Sequence, residues 1–179
     1  MISSNMSLSP LIVTLSLDPP AFYFFNALRT KHFPPERNYL QAHLTLFHHL
    51  PPDEPSIITT LEQTAAQHAI IPLAVTGTAF IGKGVAYKIE SKELMNLHAT
   101  LQTTWKEWLT PQDQQRLWPH VTVQNKVNPT QARALYEQLT REFTPFTANG
   151  MGLSVWMYRD GPWEWLATYP FSKELCNTK

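Results

Sequence analysis

Two short stretches of this 179-residue chain are nearly alike, and they limit the possible folds more than any other feature. The stretches are residues 43–47 (HLTLF) and residues 120–124 (HVTVQ). Because side chains alternate across a β-strand, the histidine and the threonine two residues later share one face, while the apolar residues share the other. We expect the apolar faces in the core and the polar faces outside it. Two such strands with helical sequence between them predict a duplicated unit whose polar faces meet in one groove.

The elements around these two strands predict an α+β fold with sheet on one side and helices packed outside. The order divides into two halves of similar content, and no Gly- or Ser-rich linker separates them. We therefore expect residues 11–175 to form a single domain with two lobes, after a disordered Ser-rich leader over residues 1–10. The sequence predicts strands over 11–17, 39–48, 73–81 and 85–90, from 120, and twice within 146–171, and helices over 21–30, 56–68, 92–109 and 129–143.

Composition excludes several classes of protein. Fourteen basic and fourteen acidic residues leave no net charge, which argues against a protein that coats nucleic acid but allows a local groove for one phosphate. The single cysteine, Cys176, excludes an intramolecular disulfide and a cysteine-based zinc site. The apolar run over residues 11–17 is too interrupted for a membrane span and lacks the basic flank of a signal peptide. A cytoplasmic protein without a membrane partner is the expectation.

The paired motif carries residues suited to acid–base chemistry. Two imidazoles that face one cavity can serve as general base and general acid near pH 7, which predicts a bell-shaped pH–rate profile with limbs near neutrality. The hydroxyls of Thr45 and Thr122 can donate to phosphate oxygens. Such a site suits a cyclic phosphodiester: one histidine takes a proton from the attacking water and the other protonates the leaving ribose oxygen. This chemistry needs no metal ion and no other cofactor.

Two other interpretations of the histidines remain open from the sequence. His43 and His120 could be half-buried strand residues with structural hydrogen bonds only. His48 and His49 follow the first motif and suggest a zinc site together with His43. Adjacent strand residues face opposite ways, however, and the five-residue offset places His48 on the face opposite to His43 in a regular strand. A metal site is therefore not expected.

The two motifs, AHLTLF and PHVTVQ, resemble those of the two-histidine phosphoesterase superfamily, which includes the 2'-5' RNA ligase (LigT-like) proteins and cyclic phosphodiesterases. The resemblance covers most of the chain, since the element order, the proline-containing loop before the first motif and the aromatic terminal hairpin also fit. It implies a bilobal α+β fold of two pseudo-symmetric antiparallel-sheet halves with the motif strands facing a central groove. It also implies that His43 and His120 are the catalytic acid and base, with His120 favoured as base, and that Thr45 and Thr122 bind phosphate.

The chain departs from the family pattern at one place. Many members carry an arginine shortly after one or both motifs, whereas this chain has His48 and His49 after the first and Lys126 after the second. Lys126 can supply positive charge, but a lysine lacks the two-pronged fork of arginine. Hydrolysis of a small phosphodiester is therefore favoured over ligation of RNA ends.

Aromatic and basic residues outside the motifs suggest further substrate contacts. Tyr158 and Arg159 of the terminal hairpin are the pair expected to bind substrate, and Tyr87 and Trp156 are also able to stack a nucleobase. An ordinary place in the core is the alternative for these aromatic residues. Two residues that flank the loop before the first motif are candidates for steering an anionic substrate or, equally, solvated surface residues: Lys31 and Arg37.

The sequence thus predicts a metal-independent, monomeric phosphoesterase. It would act on a 2',3'-cyclic phosphate or a 2'-5' phosphodiester of a nucleotide or RNA end by His/His acid–base catalysis. The alternative is a non-catalytic module that binds a nucleotide or RNA end on the same fold. A remoter possibility is a hydrolase of another phosphodiester, such as an ADP-ribose cyclic phosphate.

Overall fold

The computed structural model describes residues 9–173, so that most of the expected leader and Cys176 lie outside the described residues. Within residues 9–173, no helix is both long and apolar enough to cross a membrane. A short 3-10 helix covers Pro35–Arg37. The four helices are α1 (Pro19–His32), α2 (Pro55–Gln67), α3 (Lys92–Thr104) and α4 (Pro129–Glu142). The seven strands are β1 (Leu11–Leu17), β2 (Leu44–Leu50), β3 (Ile71–Phe80), β4 (Val85–Glu90), β5 (His120–Gln124), β6 (Phe146–Tyr158) and β7 (Trp163–Pro170).

All seven strands pair antiparallel in one sheet with the order β2-β1-β6-β3-β4-β5, and β7 also pairs with β6. The predicted α+β class with an antiparallel sheet is confirmed. The strands β2 and β5 stand at opposite ends of this order and are nevertheless in contact. The sheet therefore curls into a half-barrel that brings its two ends together, and each of these strands carries one His-x-Thr motif.

Strand β6 connects the parts of the sheet. Its first residues, 146–150, pair with β3, whereas residues 150–157 pair with β1 and residues 152–158 pair with β7. Gly152 permits the close approach of β7, because a Cβ on this residue would lie 2.5 Å from the carbonyl oxygen of Tyr169. One strand thus holds partners from both ends of the chain.

Local sequence signals set the starts of three helices. The side chains of Asp18, Ser91 and Asn128 accept hydrogen bonds from backbone N–H groups in the first turns of α1, α3 and α4. Such caps satisfy donors that have no partner inside the helix. In α1 and α4, proline follows directly in the first turn, where its missing N–H costs nothing.

Two predicted boundaries are wrong by five residues each, at the end of α3 and at the start of β2. The sequence predicts that α3 reaches residue 109, but the helix ends at Thr104, because Trp105 turns into the core against Phe47 and the next residues form a tight turn. The ring centroids of Trp105 and Phe47 are 4.9 Å apart. The first motif strand, predicted from residue 39, begins at Leu44, which leaves His43 immediately before it.

Candidate functional site

His43, directly before β2, and His120, at the start of β5, are held by the same kind of hydrogen bond. The Nδ1–H of His43 donates to the carbonyl oxygen of Gln41 at 2.7 Å, and the Nδ1–H of His120 donates to that of Trp118 at 2.8 Å. Because a carbonyl oxygen only accepts, each Nδ1 must carry a hydrogen. Nε2 is therefore the nitrogen that each ring can offer to a substrate.

An aromatic ring lies against each of these imidazoles. The ring centroid of His43 is 4.7 Å from that of Trp163, with the planes inclined at 50°. The ring of His120 is 4.2 Å from that of Trp118, at 21°. Trp163 belongs to β7 and Trp118 to the segment before β5, so different parts of the chain orient the two histidines.

Two cavities open beside the histidines, and each combines the histidine of one motif with the threonine of the other. The His43 cavity, of about 470 Å³, contains His43 and Thr122 in its lining. The His120 cavity, of about 340 Å³, contains His120 and Thr45. The curled sheet therefore brings the four motif residues to two cavities, each of which combines residues from both motifs.

The structure places His48 differently from the sequence expectation. The alternation of a regular strand predicts His48 on the face opposite to His43, but it lines the His120 cavity with Thr45. The pairing of β1 with β2 is irregular on both sides of Phe47, and Leu46 and Phe47 are both buried. A β-bulge of this kind changes the alternation of side chains and re-aims the residues beyond it.

Burial governs the protonation of the paired histidines. It lowers the pKa of His43 to about 4; the hydrogen bond to Gln41 opposes this effect, and the nearby charges of Arg29, His120 and His48 reinforce it. Burial also lowers the pKa of His120. Both rings are therefore neutral in the free protein at pH 7, and a bound anion would favour protonation of either one.

Arg29 is a residue of the site that the sequence reasoning missed. Its Nε donates at 2.9 Å to the Asn38 side chain and to the carbonyl oxygen of Leu40, and its Nη1 donates to the carbonyl oxygen of Thr122 at 3.0 Å. Burial lowers its pKa to about 10, so that it stays charged at pH 7. A signal was present: Arg29 continues the i, i+4 spacing of buried Ala21 and Phe25 on the inner face of α1.

Of the remaining predicted site residues, two line the His43 cavity and one lies outside it. Lys126 and Tyr158 line the His43 cavity with Arg37. Arg159 does not line either cavity; its Nε donates to the Glu164 carboxylate at 2.6 Å within the β6–β7 hairpin.

The two further stacking candidates also differ in position. Tyr87 is 3% exposed and packs among aromatic residues of the core, which leaves no face for a nucleobase. Trp156 donates from Nε1 to Thr14 and, with Trp163 and His43, lines a third cavity of about 300 Å³.

The part of the chain from residue 9 to residue 173 contains no group of three or more His, Cys, Asp or Glu side chains arranged to hold a metal ion. His48, one member of the zinc site considered from the sequence, contacts the Asp113 carboxylate. His49 is exposed at the edge of the sheet.

The sequence of this chain matches a known protein family. A family model described as the 2'-5' RNA ligase superfamily matches residues 17–162. A search of curated proteins gives no match.

Solved structures share the fold at low sequence identity. TT0787 of Thermus thermophilus is 17% identical, with a TM-score of 0.66, and the match covers 90% of this chain and 97% of that one. Escherichia coli LigT in complex with NADP+ is 15% identical, with a TM-score of 0.58 and coverage of 93% and 100%. A structure described as a phosphoesterase gives 15% identity, a TM-score of 0.59 and coverage of 93% and 100%.

Proposed function

Because the chain belongs to the 2'-5' RNA ligase superfamily, we propose that it is a metal-independent phosphoesterase. Its substrate is a 2',3'-cyclic phosphate or a 2'-5' phosphodiester of a nucleotide or RNA end. The observation that carries the proposal is the same hydrogen bond at His43 and His120. In each residue, Nδ1–H donates to a backbone carbonyl oxygen, which leaves Nε2 for a substrate. E. coli LigT has been solved with NADP+, with 3'-AMP and with ATP, which supports a nucleotide as the ligand class.

The reaction follows from the residues around the two cavities. By analogy with the family, Nε2 of His120 takes a proton from water as the water oxygen attacks phosphorus. The bond from phosphorus to one ribose oxygen breaks, and protonated His43 gives its Nε2 proton to that oxygen. The products are a phosphate monoester and a ribose hydroxyl, and exchange with solvent restores both histidines.

The threonines and the cations stabilise the charge that develops on phosphorus. The hydroxyls of Thr45 and Thr122 donate to the non-bridging oxygens, and Lys126 adds positive charge from the rim of the His43 cavity. Tyr158 and Trp163 line the same cavity and offer faces on which a base can stack.

The test is hydrolysis of a 2',3'-cyclic mononucleotide in EDTA by the native protein, His43→Ala and His120→Ala. We expect turnover that survives the chelator and falls by at least about a hundredfold in each variant, the usual contribution of a general acid or base. His49→Ala is the matched control, since it removes an exposed histidine from β2, the strand that His43 directly precedes. Activity that persists in both motif variants contradicts the site, and binding without turnover in the native protein establishes the binding module instead.

A second substrate separates acid from base. A 2'-deoxyribonucleoside 3'-(4-nitrophenyl) phosphate has no neighbouring hydroxyl, so water is the nucleophile, and its 4-nitrophenolate leaving group needs little protonation. This substrate should therefore restore the variant that lacks the acid and not the one that lacks the base. We expect rescue of His43→Ala alone. Rescue of His120→Ala alone would reverse the two assignments.

A further inference from the structure

The His120 cavity contains residues for which the proposed reaction has no use. Besides Thr45 and His120, its lining includes His48, Arg116 and the amide side chains of Gln112 and Gln115. Arg116 is exposed, and His48 is 45% exposed at its side chain. Polar side chains from outside the two motifs therefore form part of the lining of this cavity.

A buried carboxylate fixes His48 in this place. Asp113, whose side chain is 1% exposed, accepts the Nδ1–H of His48 at 2.9 Å. It also accepts the backbone N–H groups of His48 and His49 at 2.9–3.0 Å. Burial acts to raise the pKa of Asp113, but these hydrogen bonds outweigh it and hold the pKa below its usual value. The carboxylate is thus ionised, and it clamps the bulge of β2.

The segment that supplies Asp113 is itself held in place. The side-chain amide of Gln102 in α3 donates to the carbonyl oxygens of Asp113 and Gln115, both at 2.8 Å. Arg116 follows directly in the chain. The position of Arg116 at the cavity is therefore set by a braced loop and not by a free tail.

The hydrogen-bonded pair of His48 and Asp113, together with Arg116, has the chemistry of a site that binds an anion. In its imidazolium form, the ring of His48 donates Nδ1–H to the Asp113 carboxylate and has Nε2–H left to donate to an anion in the cavity. Arg116 adds a permanent charge and several donors. Among residues 9–173, Asp113 is the only acidic residue in the lining, and its oxygens already accept the hydrogen bonds described above. The cavity adjoins Thr45 and His120, where the scissile phosphate would lie.

We propose that His48 and Arg116 in the His120 cavity bind a second phosphate of the substrate. The preferred substrate is then a nucleotide with a phosphate besides the scissile one, either a 5'-phosphorylated nucleoside cyclic phosphate or the cyclic end of an oligonucleotide. The inference rests on the proposed function for the location of the scissile phosphate. Arg116 would supply positive charge that family members with an arginine after the motif obtain from that arginine.

Equilibrium binding tests this inference without any need for turnover. The full chain is titrated calorimetrically with adenosine 3'-monophosphate and with adenosine 3',5'-bisphosphate. We expect the bisphosphate to bind at least about tenfold more tightly. One charge-assisted hydrogen bond to the second phosphate contributes enough free energy to lower Kd by that factor. In Arg116→Gln and His48→Gln, the preference should fall to about threefold or less on the same grounds.

Arg141→Gln is the matched control, because it removes one positive charge from the exposed end of α4, away from the cavity. It should keep the native preference. The inference is overturned by equal affinities of the native protein for both nucleotides, by failure of the bisphosphate to bind, or by a preference that survives in both variants. Binding of inorganic phosphate to protein saturated with the bisphosphate, if it is lost in Arg116→Gln, also overturns it, in favour of a site for a free anion. Absence of turnover on cyclic substrates refutes only the proposed function.

Discussion

The imidazole of His120 lies almost flat against the indole of Trp118, with ring centroids 4.2 Å apart and planes inclined by 21°. Trp118 also accepts the Nδ1–H of His120 with its backbone carbonyl. It thus fixes the tautomer through its main chain and the orientation of the ring through its side chain. Substitution separates these two contributions, because any residue at this position keeps the carbonyl.

Replacement of Trp118 by alanine should lower kcat and leave the fold intact. The tautomer of His120 persists, but the ring loses the aromatic contact that orients it, which is worth about 0.5–1.5 kcal/mol or roughly two- to tenfold in rate. Trp118 is 46% exposed, so the unfolding midpoint should change little. Trp165→Ala removes a similarly exposed indole that donates to Thr168, and it serves as the control in kcat and urea-unfolding measurements. Equal losses of kcat in the two variants would refute the orienting role.

The pH dependence should reflect the low pKa values of the paired histidines. For kcat/KM, the productive free protein has one histidine protonated and one neutral, a form that is most abundant between their pKa values. Since burial lowers the pKa of His43 to about 4 and also lowers that of His120, the maximum of kcat/KM should lie below pH 6.5. Above that pH, kcat/KM should fall.

The profile of kcat should lie at higher pH than that of kcat/KM. Bound phosphodiester places a negative charge beside both rings, which favours their protonated forms and raises both pKa values. Initial rates between pH 4 and pH 9 give the two profiles. An alkaline limb of kcat/KM above pH 8 would show that burial does not control these groups.

Arg29→Lys should destabilise the protein although it conserves the charge. One ammonium cannot reproduce the three hydrogen bonds to Asn38, Leu40 and Thr122, and the acceptors left unpaired in a buried place cost about 1–3 kcal/mol. The exposed Arg133, which also lies about 4 Å from the centre of an aromatic ring, offers a control. Arg133→Lys should cost less than about 1 kcal/mol. Urea unfolding compares the two; similar costs would mean that the buried hydrogen bonds of Arg29 are unimportant.

Gly84→Ala should disturb the end of the second motif strand. A Cβ at Gly84 would meet the backbone of Gln124 and would lie 2.6 Å from Cα of Asn125, so β5 must move away from β4. Forcing atoms into so tight a contact costs about 1–3 kcal/mol, and the shift should reduce kcat as well because β5 carries His120 and Thr122. Gly77→Ala is the control, since its Cβ meets only the flexible end of Lys88 at 3.1 Å. A native-like unfolding midpoint for Gly84→Ala would contradict the contact.

Much of the fold could be predicted because its signals are local. The sequence predicts β1 with its observed bounds, since alternation is interrupted at Asp18 and two prolines follow. The end of α3 could not be predicted in this way. Trp105 and Trp108 continue the apolar spacing of the helix, and only the docking of Trp105 against Phe47 ends it. Contacts between distant residues decided that boundary.

The same distinction holds for the candidate site. The paired motifs predict His43, His120 and their threonines as site residues, because two-residue spacing on a strand is a local rule. The position of His48 depended on Asp113, which lies 65 residues further along the chain and clamps a bulge. The role of Arg29 depended on carbonyl groups of other segments. The helical spacing of α1 gives a local signal for the burial of Arg29 but none for its hydrogen-bond partners, because these lie on distant segments.

The meeting of β2 and β5 has a consequence for how the protein reaches its working state. Thr45 and His120 come to the same cavity only after the sheet closes, whereas neighbouring hairpins such as β3–β4 and β6–β7 join residues close in the chain. Pairing across long stretches of chain is slow because loop closure costs entropy before contacts repay it. During refolding, circular dichroism should therefore recover before enzymatic activity. The rate at which activity returns thus measures the rate of the last folding step, the closure of the sheet.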